Sequence, residues 1–158
     1  MPTMSKLVDD YLAGPQTLRQ AVAGMTHEQL IARPVRGKWS TLEVVCHLVD
    51  SDQAWIHRMK RVIAEEKPLL IGYDESRFAE ALAYHDRDLE EELTIIERTR
   101  QQLARILRTL PDEALARIGV HNERGPRTLE QLLVGATNHI PHHVKFIEEK
   151  RRALGLTV

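Results

Sequence analysis

A chain of 158 residues and 18.1 kDa is long enough to bury a sizeable core and short enough for one domain. Its 42% hydrophobic and 28% charged composition excludes a disordered chain, and 22 basic against 23 acidic side chains (net −1) argue against a protein that coats nucleic acid or holds membranes through basic charge. The single cysteine, Cys46, excludes an internal disulfide and a cysteine-built zinc site, which leaves eight histidines as the unusual feature.

The opening residues, MPTMSKLVDDYL, show no basic region followed by an apolar run. No stretch approaches the roughly 18 apolar residues of a membrane span. The cytoplasm is the expected location. Leu7, Tyr11, Leu18, Val22 and Met25 recur on one helical face, with Gly14-Pro15 as a candidate kink. Residues 33–38, with Pro34 and Gly37, read as a loop. Ser40-Thr41-Leu42-Glu43 has the form of a capping box, and the helix it opens is stopped by Lys67-Pro68, so it runs to about Glu66. A third helix carries Leu89, Leu93, Ile96, Leu103, Leu107 and Leu110, with Arg100 in the apolar seam and Pro111 beyond it. Thr128-Leu129-Glu130-Gln131 is a second capping box, opening a fourth helix toward Leu154. Apart from a short extended piece near Ile118–His121 there is no β alternation. The reading is a single all-α domain, a four-helix bundle, with a connection of about 20 residues between helices two and three, long enough to cross the bundle.

Helical geometry sorts the histidines. With Leu132 as zero, His139 falls at about −20° and His143 at about +20°, inside the apolar arc of helix four. His142 lies at its edge. A lone core histidine is ordinarily satisfied by a neighbour, but two at i and i+4 would each need a buried partner, and one metal ion serves both. On helix two His47 sits on the shoulder of the apolar arc beside Ser51, so it is the best third ligand. His57 faces solvent, and His27, His85 and His121 fall in or beside loops as exposed side chains. Cys46 points away from the face of His47, and Pro141, between the paired histidines, should bend or loosen helix four.

Residues 37–52, GKWSTLEVVCHLVDSD, resemble the second-helix signature of the DinB/YfiT-like metalloenzyme family. Tyr73-Asp74-Glu75 in the crossover resembles the Y-D-E loop of its YfiT branch, and Arg127-Thr128-Leu129-Glu130 followed by His139 and His143 resembles its final helix. The resemblance spans essentially the whole chain. It implies a four-helix bundle, often a homodimer, holding one divalent metal, zinc or nickel, through three histidines. By position these are His47, His139 and His143. It also implies kinship with metal-dependent hydrolases and with transferases that use low-molecular-weight thiols, such as bacillithiol S-transferases and mycothiol-dependent maleylpyruvate isomerases; other members have no assigned activity.

Three histidines leave zinc an open coordination position, which suits either activation of water or capture of a thiol as its thiolate. Glu43 and Asp50, flanking His47 at −4 and +3, could orient an imidazole or shuttle protons, although capping accounts for Glu43 and solvation for Asp50 and Asp52. Tyr73 and Asp74 could reach over the site or contact a second subunit. Trp39 and Trp55 suit a core or an interface better than a substrate site. The expectation is an enzyme acting on a small molecule, a hydrolase or thiol-dependent transferase, with neither nucleic acid nor membrane as partner. The rival is a stress-response or binding protein whose metal only braces the bundle, which a fourth protein ligand such as His142 or Asp50 would favour.

Overall fold

The computed structural model describes residues 2–158. Four long helices form the bundle: α1 (Met4–Val22), α3 (Thr41–Ala64), α5 (Leu89–Leu107) and α6 (Leu129–Ala153). Two short helices, α2 (His27–Ile31) and α4 (Glu75–Ala81), lie in the connections. Each long helix begins on a side-chain cap that satisfies an orphan backbone donor: Thr3, Ser40, Asp88 and Thr128 accept from Lys6, Glu43, Glu91 and Gln131 respectively. Thr128 and Gln131 close a reciprocal capping box. The apolar period of the first helix extends to Met25, but α1 ends at Val22, shortly before Gly24 turns the chain at φ +74°. A second reciprocal box, Thr26 with Gln29, then starts the five-residue α2, too short to show an apolar period.

The connection between α3 and α5 is long, as its sequence suggested, but it is structured. Its first part forms β1 (Leu69–Leu70), paired in parallel with β2 (Ile118–His121), and β2 pairs antiparallel with β3 (Gly125–Thr128). The short extended piece near residue 118 is thus the centre of a three-stranded sheet. The rest of the sheet left no alternation to read, because β1 has two residues and β3 is Gly-Pro-Arg-Thr. Asn122 reinforces the join, its side-chain oxygen accepting from the Gly72 N–H at 2.9 Å. The crossover is thereby tied to the hairpin that leads into α6.

The core lies between the long helices in two clusters. One contains Tyr11, Met59, Leu103, Leu129 and Leu133, the other Leu18, Val45, Leu48, Ile96, Ile140 and Ile147. On α5 the residue between Ile96 of one and Leu103 of the other is Arg100, which is wholly buried. Its Nε lies 3.1 and 3.0 Å from the two carboxylate oxygens of Asp52, and its Nη2 lies 2.6 Å from Oδ1. Nη1 donates to the Tyr11 carbonyl at 2.8 Å and Nη2 to the Ala136 carbonyl at 2.9 Å. Asp52, read as a solvated helix charge, is therefore an interior anion.

This pairing explains Gly14-Pro15, which does not break α1. Pro15 has no N–H to offer the carbonyl four residues earlier, and that carbonyl, on Tyr11, takes its hydrogen bond from Arg100 instead. A Cβ on Gly14 would stand 2.7 Å from Arg100 Nη1, so glycine leaves the room the guanidinium occupies. The dipeptide is a docking notch. Pro141 likewise lies inside a continuous α6.

Candidate metal centre

α3 and α6 carry three histidine rings to one point. His47 is 4.7 Å from His143 and 5.2 Å from His139, centroid to centroid, and the latter two are 4.6 Å apart. One nitrogen from each ring lies within 4.8 Å of the others, and no carboxylate or cysteine joins the group. Among the described residues this is the one such cluster. His47 is fully buried, and its Nε2 has no hydrogen-bond partner. An unpaired buried nitrogen costs about 1–3 kcal/mol, so the arrangement suits an atom that completes its bonding with an added ligand.

The opposite ring nitrogen is held. Ser51, one turn along α3, places its Oγ 3.4 Å from His47 Nδ1 and also bonds the Tyr73 hydroxyl. With the Nδ1 proton on the serine, the Nε2 lone pair is free. The sequence places Ser51 beside His47, and the i, i+4 relation accounts for the contact, but only the structure gives the serine its role. Tyr73 does reach the site from the crossover, through this serine. Asp74 beside it caps α4, accepting from the Arg77 N–H at 3.0 Å.

Burial pushes the pKa of His139 down to about 3, assisted by the neighbouring His143 and His47. Burial, then His47 and His142, brings His143 down to about 4. His47 is lowered too, chiefly by burial, with Glu75 and Asp50 opposing. All three rings are neutral at pH 7, the state in which imidazole ligates metals. The donor set and the orphaned nitrogen fit a divalent ion.

The other candidates are placed differently. Glu43 makes no return bond to the Ser40 backbone; its buried carboxylate pairs with Arg33 and lies 2.5 Å from His85 Nε2, which also sits 3.0 Å from Ser40 Oγ. His85, read as solvent-exposed, is thus half-buried in an ionic cluster. Asp50 accepts from the Tyr84 hydroxyl at 2.9 Å and from Arg87 at 2.8 Å, so it is turned to α3's other neighbours rather than to the rings. His142 is exposed, with its ring 5.1 Å from that of His143. His121 is buried, against expectation, because it falls in the middle strand of the sheet. His27 and His57 are exposed. The Cys46 thiol is enclosed and directed at the Tyr84 carbonyl, and burial pushes its pKa up to about 12, which leaves it unreactive. Trp39 packs its ring 5.1 Å from that of His47, and Trp55 borders a groove described below.

Comparison with known proteins agrees with this geometry. Residues 11–147 match the DinB superfamily. The chain belongs to that family. It is 32% identical over 142 residues to a Bacillus subtilis protein named "Putative metal-dependent hydrolase YfiT", covering 89% of this chain and 80% of the relative. An Oceanobacillus iheyensis protein of the same description is 30% identical over 133 residues, covering 84% of this chain and 77% of the relative. The solved structure of B. subtilis YfiT, described as a four-helix bundle of unusual topology, superposes with a TM-score of 0.90 at 30% identity, covering 98% of this chain and 89% of that one. This DinB-superfamily chain is thus a YfiT-like four-helix bundle with a three-histidine group, and its curated relatives carry names of metal-dependent proteins. No described helix is long and apolar enough to cross a membrane.

Proposed function

We propose that this chain is a metal-dependent enzyme that holds one divalent ion, zinc or nickel, on His47, His139 and His143 and acts on a small molecule. The observation that carries the reading is the buried, partnerless Nε2 of His47 beside two other neutral imidazoles. A divalent ion held there supplies Lewis acidity, which makes a nucleophile of water or of a thiol near neutral pH. The protein's own part is to keep the three rings neutral by burial and to fix the His47 tautomer through Ser51. Tyr73, bonded to that serine, stands where a hydroxyl can donate to a substrate oxygen. Hydrolysis and S-transfer from a low-molecular-weight thiol both suit this arrangement, and the relatives' names favour hydrolysis.

The test is elemental analysis of the purified protein, wild type against His143→Ala, after reconstitution with zinc or nickel. Stoichiometric metal in wild type and its loss from the variant are expected; a wild type without metal overturns the proposal. Turnover is then screened with amides and esters, and with reactive electrophiles plus small thiols. Thiol-dependent conjugation without hydrolysis selects the transferase. Metal without either activity selects the bracing role. The same reading takes the protein to be a cytoplasmic homodimer of one-domain subunits, which light scattering on the purified chain checks for the dimer.

A further inference from the structure

A groove leads away from His139, one of the three clustered histidines. Its inner chamber, about 150 Å³, is bordered by His139, Ser51 and Tyr73 and also carries Glu75 and Glu123. An outer chamber, about 270 Å³, shares Trp55, Arg58, His121 and Arg124 with the inner one and extends to Arg127 and Gly135. The two chambers differ in charge. No carboxylate borders the outer one, whereas three guanidinium groups do, in a chain whose net charge is −1.

These arginines lack the partners that others in the molecule have. Arg19, Arg61, Arg87, Arg100 and Arg108 each pair with a carboxylate. Arg124 has neither an ion pair nor a hydrogen bond among the described residues. Arg127 bonds only the carbonyl of neighbouring Pro126, at 2.9 Å. Arg58 gives Nε and Nη2 to the Ile71 carbonyl, at 3.2 and 2.7 Å, which leaves Nη1 uncommitted. Burial disfavours the Arg58 charge and Arg124 adds repulsion, with Tyr73 and Glu123 of the inner chamber opposing. Like charges gathered in a partly enclosed space repel until an anion joins them, and guanidinium groups match the two oxygens of a carboxylate or phosphate.

Beside the arginines, His121 and Gln131, the chamber has an apolar side of Trp55, Leu132 and Gly135. A Cβ at Gly135 would stand 2.8 Å from the Trp55 indole, so the ring lies directly against the α6 backbone and forms a wall of the groove. The Arg58 guanidinium is 5.7 Å from the centre of that ring. An aromatic wall beside a cationic end, opening toward reactive groups, is the usual make-up of a small-molecule site.

We propose that this groove recognises the anionic end of the molecule that reacts at the histidines. Arg58, Arg124 and Arg127 hold a carboxylate or phosphate group in the outer chamber, the body of the molecule lies against Trp55, and its reacting end reaches the inner chamber beside His139. This rests on the enzymatic reading above, because the groove is given a substrate only if the histidines are reactive.

The test titrates protein, treated with zinc or nickel under the same reconstitution as above, with succinate or inorganic phosphate at fixed ionic strength. It follows the indole N–H signal of Trp55 and the arginine Nε–H signals by NMR. Wild type, Arg124→Ala with Arg127→Ala, and His143→Ala are compared, with metal content and melting temperature recorded for each. Saturable shifts are expected in wild type, weakened at least about tenfold in the double arginine variant, the loss of one charge-assisted pair. Metal content and melting temperature of that variant should match wild type. The shifts should persist in His143→Ala, and a preference for succinate or phosphate tells which anion the chamber fits. Shifts that vanish in His143→Ala yet survive in the arginine variant show an anion bound at the metal and overturn the proposal. So does a lack of saturation in wild type. A wild type without metal that still binds anions through the arginines would sink the enzymatic reading while leaving the anion site standing.

Discussion

Replacing Asp52 with alanine removes the counter-ion of a guanidinium that has no access to water. The side chains of Arg100 and Asp52 are 0% and 3% exposed, and their three N–O contacts run from 2.6 to 3.1 Å. The variant keeps the two carbonyl acceptors of Arg100, on Tyr11 and Ala136, but neither carries a formal charge. Breaking one half of such a buried pair costs about 3–5 kcal/mol. For a chain of this length each kcal/mol moves the melting point by about 2–4 °C, so a fall of about 6–20 °C is expected. Thermal melts followed by circular dichroism, with urea unfolding for the free energy, measure it. Removing both charges together, as Asp52→Leu with Arg100→Met, should recover only part of the loss: the apolar pair needs no counter-ion, but the buried Tyr11 carbonyl, which Pro15 cannot serve, loses its donor at a cost of about 1–3 kcal/mol. If Asp52→Ala melts within about 3 °C of wild type, the pair is not sealed from solvent and the reasoning is wrong.

Ser51→Ala should weaken metal affinity by about 10–100-fold, since the His47 ring loses its orienting partner; competition with a chromogenic chelator reads it, and an unchanged affinity would show that Ser51 does not set the ring. Metal-free protein should lose stability as pH falls from about 6.5 toward 4. Over that window His139 and His143, held near 3 and 4, stay neutral in the folded state while the unfolded chain takes up protons. Urea midpoints at pH 7, 5.5 and 4.5 check this, and a flat profile excludes it. Gly14→Ala should destabilise the fold by about 1–3 kcal/mol, because the added methyl meets Arg100 Nη1 at 2.7 Å and Ile140 Cδ1 at 2.9 Å. A melt equal to wild type would mean that the notch has slack.

What could be read from the sequence, and what could not, divides along physical lines. The four long helices announce themselves because each buries a stripe at the helical period, and α3 and α6 also open on caps that the sequence displays. His139 and His143 were legible for the same reason, being i and i+4 within an apolar arc where polar rings need a cause. Of the sheet only β2 was legible, since two residues of β1 and a Gly-Pro pair in β3 carry no alternation. Glu43 was half legible: its place after Ser40 fits a cap, but its partners Arg33 and His85 arrive from segments whose paths no periodicity reports. Arg100 stood out as a charge in a leucine seam. Its partner did not, because Asp52 lies 48 residues away and looks like any acid on a helix. The groove escaped notice because Arg58 comes from α3 and Arg124 from a hairpin turn, and only the fold brings them together.

The Arg100 lock also bears on how the protein folds. Its guanidinium sits on α5 and is satisfied by α1, α3 and α6 at once, so an assembly lacking any one of these helices holds a buried cation with a missing bond. Partly built bundles are thereby raised in energy relative to both the complete bundle and the open chain, which is the condition for an all-or-none transition. Amide protons next to Arg100 on all four helices should exchange through one shared opening with a common free energy. Independent opening of α1 would show that the lock does not couple them. A charge buried at the meeting point of four helices would then act less as a source of stability than as a check that the assembly is complete.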